Sequence, residues 1–274
     1  MPVISTNTSA NTALRYLNLN SSQQSNSIAK LASGSRITKA SDDAAGLAIG
    51  SGLKADVAVL NQAATNASHA SSILQTADGG MARIGDILER MKALATQANS
   101  GSVTDDKRAY IDAEYQALLE EIDGIATGTR FNGESLLDGT TDWATGIDFM
   151  VGTDVNDTIT VTIGAVDSTT LTVNGTDLTD QANSQAAIAT LDAAITAISS
   201  ARADVGAQMS RFEFRSETIA TSVENVSAAQ SAIMDVDIAA EQTKLSSVQV
   251  KTQAAIAVLA SANQMPQQLL DLVR

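Results

Sequence analysis

The sequence has no cysteine and only one histidine, His69. Without cysteine there is no disulfide framework, no thiol nucleophile and no thiolate ligand. One histidine excludes every zinc motif that needs two. The two prolines are Pro2 and Pro266, so nothing between them breaks a helix by removing an amide donor. Aromatic residues make up 3% of the chain although the hydrophobic class reaches 44%, so its apolar content is mostly small and aliphatic. Such a core suits closely packed helices better than the interior of a globular enzyme. Basic residues are scarce: 17 Lys and Arg against 31 Asp and Glu give a net charge of −14. That sign disfavours nucleic acid and anionic membranes as partners. No apolar run approaches the about 18 residues of a membrane span, so no membrane insertion is expected. The N-terminal segment lacks the charged and apolar regions of a cleaved secretory signal, which points to the cytoplasm or to export without a leader.

What is present is helical periodicity. Residues 53–98 carry apolar positions in alternating steps of three and four: Val57, Leu60, Ala64, Ala67, Ser71 and Leu74, then Met81 to Ala98. Between the two runs, Asp78-Gly79-Gly80 reads as an irregularity, since each glycine costs about 1 kcal/mol relative to alanine. A straight helix over 53–98 would be about 70 Å long, which is a rod and not a globular-domain helix. A second helix is predicted over 104–127, with Thr104 as N-cap. Residues 128–178 turn to Gly, Thr, Asp and Asn, with period-2 runs at 158–163 and 170–173 and a tight-turn signal at Asn174-Gly175. Two to four short strands are expected there. The helix returns at 182 with a heptad seam from Ile188 to Ile233, whose polar members Arg202, Ser216 and Gln230 fall 14 residues apart. The terminal segments 5–33 and 236–274 are weakly apolar and read as helices that order when something buries them. The fold class is thus mainly α: a long antiparallel bundle or coiled coil of the two chain halves with a small β-hairpin insertion.

No constellation carries chemistry. There is no phosphate loop and no nucleophile elbow. His69 lies within the long helical segment and has no catalytic partner in the sequence, so it reads as a helix-surface or packing residue. Asp42 and Asp43 invite a metal or acid–base reading, but adjacent helix residues point about 100° apart and do not converge on one atom. Ser41 instead suits an N-cap, with the two aspartates complementing the helix dipole. Gly46, Gly50 and Gly52 leave a flat surface for close backbone approach. The segment reads as a joint between a terminal helix and a rod, with no catalytic, cofactor or metal site.

Several motifs carry a family resemblance. SGSRITKASDDAAGLAIG (33–50) resembles the N-terminal signature of bacterial flagellins. LERMKALATQANSG (88–101), ATGTRFNGESLLDG (126–139), SARADVGAQMSRFEF (200–214), ENVSAAQSAIMDVDIAAEQ (224–242) and the terminal LASANQMPQQLLDLVR continue it in order, over roughly 220 of 274 residues. Three positions depart from the family pattern: Ser5, the doubled glycine at Gly80, and Ala232 where arginine is usual. The resemblance implies a division into an inner-tube helix (1–40), rod helices (41–128), a short variable β-containing insertion (129–180), a rod helix (181–234) and a second inner-tube helix (235–274). It implies a non-enzymatic filament subunit that polymerises with itself and is exported, unprocessed, to the cell exterior. Its partners would be an export chaperone, the flagellar type III apparatus, and filament cap and hook-junction proteins.

Polymerisation and the joint are assigned to Ser41, Asp42, Asp43, Gly46, Leu47, Leu269, Leu270 and Val273. Some flagellins are recognised by Toll-like receptor 5 through an exposed arginine, leucine and glutamate; the matching residues are Arg90, Leu94 and Glu114, with Ala93 departing from the acidic residue often found there. Two alternatives stand beside the filament subunit. One is a hook–filament junction protein, and the other a flagellin-like surface protein binding a polysaccharide or receptor, with Trp143 and Phe149 as its aromatic platforms. A zinc protease in the insertion has neither room nor histidines.

Overall fold

The computed structural model describes residues 6–272, with side-chain surroundings through residue 265. The helices are α1 (Thr8–Ser33), α2 (Ala44–Ala98), α3 (Asp105–Gly128), a one-turn α4 (Asp142–Thr145), α5 (Gln181–Met234) and α6 (Ile238–Leu272). Strands β1 (Arg130–Phe131) and β2 (Glu134–Ser135) form one antiparallel pair, and β3 (Ile147–Met150) and β4 (Thr158–Val161) another. The fold is mainly α with small hairpins, as the periodicity predicts. The chain divides into two compact units: Met1–Asp56 with Asn225–Arg274, and Val57–Glu224.

In the second unit, α2 runs through Gly79-Gly80 without a break. Its buried side chains form a row of Leu60, Ala63, Ala67, Ala70, Leu74, Ala77, Met81, Ile84, Leu88, Met91, Ala95 and Ala98, with Ile73 and Leu94 buried beside it. The steps alternate three and four throughout, a heptad seam. The predicted irregularity came from placing Ala64 and Ser71 on the seam; Ala63, Ala70 and Ala77 occupy it instead. Alanine is too common here for periodicity alone to fix which copy faces inward.

The two glycines differ. A Cβ on Gly80 would lie 2.5 Å from Thr129 Oγ1 and 2.8 Å from Leu137 Cδ1, whereas one on Gly79 meets nothing within 4 Å. Thr129 cannot easily yield, because its hydroxyl donates to the Ile125 carbonyl at 2.8 Å. Gly79→Ala is therefore expected to stabilise this unit by about 1 kcal/mol through helix propensity. Gly80→Ala is expected to destabilise it by about 1–2 kcal/mol through overpacking. Urea unfolding of the two variants measures both signs.

Helix α5 buries Ser184, Leu191, Ile198, Val205, Phe212 and Ile219, each seven residues after the last. Ala187 and Ala194 are also buried, in place of the predicted Ile188 and Ile195, which are half-buried. Of the polar seam members, Arg202 reaches Asp78 on α2 with Nε at 2.7 Å from Oδ1. Helix α3 packs through Tyr115, Leu119, Ile122 and Ala126. Its Arg108, 6% exposed, donates from Nε to the Ala98 carbonyl at 2.8 Å and so closes the C-terminus of α2.

The insertion is tied down rather than loose. Asp123 accepts from the amide and hydroxyl of Ser168, both at 2.8 Å, and Asp112 accepts from the Leu178 amide at 2.8 Å. The strand expected at Thr170–Val173 does not form. There the amides of Leu171 and Val173 turn back to the Asp167 and Ser168 carbonyls, and Thr172 takes φ 58°. Leu171 and Val173 are nevertheless buried, so the alternation marked the inward side chains correctly and the backbone wrongly. The tight turn of β1–β2 falls at Asn132-Gly133, with φ 52° and 89°, a sequence suited to a primed two-residue turn.

In the first unit, α1 and α6 pack together. The more buried face of α6 reads Glu241, Leu245, Val248, Thr252, Ala255, Leu259 and Ala262, again in steps of four and three. That of α1 reads Ala13, Leu17, Asn20, Gln24, Ser27 and Leu31. Gly34 ends α1 in the left-handed conformation at φ 70°. The connections that follow α1 and α5 then pair as a single antiparallel bridge, Ser35 with Asp235. The Arg36 amide donates to the Met234 carbonyl at 2.6 Å, and its guanidinium to the Ile233 carbonyl at 2.7 Å.

Candidate functional site

The segment with the two aspartates connects α1 to α2 and starts α2. Asp43, not Ser41, caps α2: its Oδ1 accepts from the Gly46 amide at 2.9 Å and its carbonyl from the Leu47 amide at 3.0 Å. Ser41 is exposed and precedes the cap by two residues. Asp42 turns the other way. Its Oδ2 accepts from the Thr38 amide at 3.2 Å, the Thr38 hydroxyl at 3.1 Å and the Lys39 amide at 3.2 Å. These bonds, the Thr38 amide first, hold the Asp42 carboxyl below the usual carboxylate range. The two carboxylates serve different stretches of backbone and share no target atom. Gly46 is buried against Asp43 and Ile37, with Ile37 Cδ1 only 2.8 Å from where a Cβ would stand. Gly50 is covered as closely by Met234. Leu47 is half-buried. Among the described residues no group of three or more His, Cys, Asp or Glu side chains could hold a metal ion, and no helix is long and apolar enough to cross a membrane.

The α1–α6 pair is unusual in what it leaves outside. Leu14, Tyr16, Leu19 and Ile28 on α1, and Ile238, Val250, Ile256, Val258 and Met265 on α6, are all exposed, off the shared seam. The seam itself is poor in large apolar groups and includes Asn20, Gln24 and Ser27 on α1. Glu241, with its side chain 11% exposed, faces Ser27 there. The Ser27 hydroxyl, then Lys244 and Lys30, hold the Glu241 carboxyl below its ordinary value against the opposing effect of burial. Large hydrophobic side chains thus stand in water while several polar ones take part in the contact, an arrangement that favours covering the outer faces with further chains. Leu269 and Leu270 lie on the backbone of α6 beyond the described side chains, and Val273 lies outside the described residues.

In the second unit Arg90 and Glu114 meet: Arg90 Nη2 and Nε lie 2.6 and 3.0 Å from Glu114 Oε1. Both are exposed. Leu94, expected beside them on the surface, is 2% exposed and belongs to the core. It sits next to Ala95 on the buried side of α2, whereas Arg90 projects outward. Of the aromatic platforms of the insertion, Trp143 is interior and Phe149 half-buried. Trp143 is buried and stacks on Phe149 at 6.3 Å, and Phe149 meets Phe212 edge-on at 6.0 Å.

Two family models match the chain: the bacterial flagellin N-terminal helical region over residues 4–142 and the bacterial flagellin C-terminal helical region over residues 188–273. The chain belongs to the bacterial flagellin family. This flagellin is 36% identical to a flagellin of Halalkalibacterium halodurans over 99% of its own length and 100% of that protein's. It is 35% identical to the flagellar filament 30.7 kDa core protein of Treponema maltophilum, over 99% of each chain. The crystal structure of Bacillus cereus flagellin, 36% identical, superposes with a TM-score of 0.51 over 61% of this flagellin and 94% of that chain. The family is one of structural proteins.

The sequence signal that located the start of α2 was its capping chemistry. The signals that missed the outer apolar faces failed because exposure of Leu14 or Val250 depends on which face α1 and α6 turn to each other.

Proposed function

We infer that this flagellin is a structural subunit that polymerises with copies of itself into the helical filament of the bacterial flagellum and so serves swimming. The observation that carries the reading is the surplus of exposed apolar side chains on α1 and α6, alongside a seam that includes Asn20, Gln24, Ser27 and Glu241. Copies packed against those faces would remove the apolar surface from water, at about 25 cal/mol for each Å². Contacts of head-to-tail type that do not close on themselves build an open helical polymer. A non-enzymatic role follows from the same reading, as does a place outside the cell, reached through the flagellar type III apparatus with an export chaperone and with cap and hook-junction proteins at the two filament ends. The joint residues Asp42, Asp43, Gly46 and Leu47 would fix the turn from α1 into α2, and Leu269, Leu270 and Val273 would extend the polymer contact along α6.

The test is assembly. Monomer at low salt is mixed with ammonium sulfate and short filament seeds, and inspected by negative-stain electron microscopy. Long uniform tubes that disappear when about 30 residues are removed from either end are expected, since an isolated helix of this kind is marginal without its partners. Persistent monomers would overturn the reading.

Recognition by Toll-like receptor 5 is a further part of the proposal, narrowed to the exposed Arg90–Glu114 pair with Leu94 supporting it from the core. Micromolar monomer is expected to activate a receptor-bearing reporter cell line, and Arg90→Ala to weaken the signal. A silent assay with the parent protein rejects it.

A further inference from the structure

Two aromatic side chains of the second unit stand uncovered. Tyr110 on α3 is 79% exposed and Phe214 on α5 is 70% exposed. Each has a charge one turn before it, and the two charges are opposite: Asp106 precedes Tyr110, and Arg211 precedes Phe214. Both are exposed, and neither takes part in an ion pair among the described residues. Beside Phe214 lies a hollow of about 440 Å³ between α5 and the β3–β4 hairpin, lined in part by Val151, Ile159, Arg211, Arg215 and Thr218. Its lining joins the buried Val151 and Ile159 to two guanidinium groups, of which that of Arg215 is held by the Val151 carbonyl at 2.9 Å and by Asp157 at 3.1 Å.

Tyr110 and this hollow cannot meet within one chain. Tyr110 lies one turn before Glu114, which is tied to Arg90 of α2, while the hairpin is tied at Met150 to Asn66 of the same helix by a 3.0 Å hydrogen bond. Those anchor points are about 35 Å apart along α2. We propose that Tyr110 of one copy fills the hollow beside Phe214 of the next copy, with Asp106 against Arg211. The inference rests on the filament reading and names one contact within it. The ring would pair with Phe214 and lie under the guanidinium of Arg211, both favourable geometries for an aromatic side chain. Because knob and hollow are different surfaces at separate places on one unit, the contact is head-to-tail, and within a filament it runs the length of a row of subunits.

The chain has no cysteine, so introduced thiols are the only ones. Ala113→Cys lies one turn after Tyr110 and Thr218→Cys, in the lining of the hollow, one turn after Phe214; both positions are exposed, and both variants keep Tyr110, Phe214, Asp106 and Arg211. In sedimented filaments of the double variant, a short bis-maleimide is expected to give a ladder of covalent dimers, trimers and longer products. Dispersed monomers and each single variant should give none. Filaments that sediment normally yet give no ladder overturn the proposal, and so does a dimer from either single variant, which would mean a like-with-like contact. A parent protein that never sediments defeats the filament reading itself and this contact with it. A charge exchange provides the second measurement. Asp106→Arg and Arg211→Asp are each expected to raise the concentration needed for polymerisation about tenfold, with helicity unchanged. Combining them should bring it back to within about threefold of the parent; singles without effect, or a pair without recovery, would count against the contact.

Discussion

Phe212→Ala is expected to cost the second unit about 3–5 kcal/mol of stability, the range for removing a buried phenylalanine. Phe212 is the fifth of six buried residues at seven-residue spacing along α5, and it is 1% exposed. Its ring also meets Phe149 edge-on, and Phe149 stacks on Trp143. One side chain therefore joins the heptad seam to the insertion, and truncating it opens a cavity where three structural parts converge. With natural stabilities of about 5–15 kcal/mol, the loss is a large fraction of the whole. Trp143 is the only tryptophan, so urea unfolding followed by its fluorescence reads the affected cluster directly. Phe212→Leu, which keeps most of the volume, should cost about 1–1.5 kcal/mol. A loss below about 1 kcal/mol in the alanine variant would mean that the insertion does not depend on this contact.

Leu245→Asp should abolish polymerisation while leaving the second unit intact. Leu245 is buried on the α6 face that packs on α1, a face with few other large apolar groups, among them Val248 and Leu259. A carboxylate there faces a desolvation cost of several kcal/mol. Loss of the pairing would raise the concentration needed for filament growth at least about a hundredfold, equivalent to about 2.7 kcal/mol. The midpoint of Trp143-monitored unfolding should not move, because Leu245 belongs to the other unit. Val250→Asp is the informative partner. Val250 is exposed and off the seam, so the α1–α6 pair should keep its helicity while assembly weakens. If Leu245→Asp polymerises like the parent, the α1–α6 pair is not part of the polymer contact.

The sequence by itself determined the class of the molecule. The lack of cysteine, the single histidine and the near absence of proline left long uninterrupted helices as the natural outcome; helical apolar spacing located α2 and α3, and a heptad seam located α5. Capping chemistry identified the Asp42-Asp43 segment as a helix start, because side-chain to backbone bonds over three or four residues are a local matter. Local rules were less able to settle the cap itself, since Ser41, Asp42 and Asp43 are all suitable residues, and only the path of the chain selected Asp43 and turned Asp42 back to Thr38.

Which alanines face inward was decided by tertiary structure. Ala63 and Ala64 are chemically identical, and the seam becomes continuous across Gly79-Gly80 only when the neighbouring helices are in place. The same is true of Gly80, whose need for a missing side chain arises from Thr129 and Leu137, 49 and 57 positions away in sequence. Thr170–Val173 shows the limit from another side. Its alternation recorded burial, but Asp123 on α3 captured Ser168 and bent the backbone into turns. Leu94 reads as a surface residue because Arg90, four residues earlier, is one. Burial on a helix changes within about 100° of rotation, so the packing around α2, not the spacing, placed Leu94 in the core and left Arg90 and Glu114 to meet outside it.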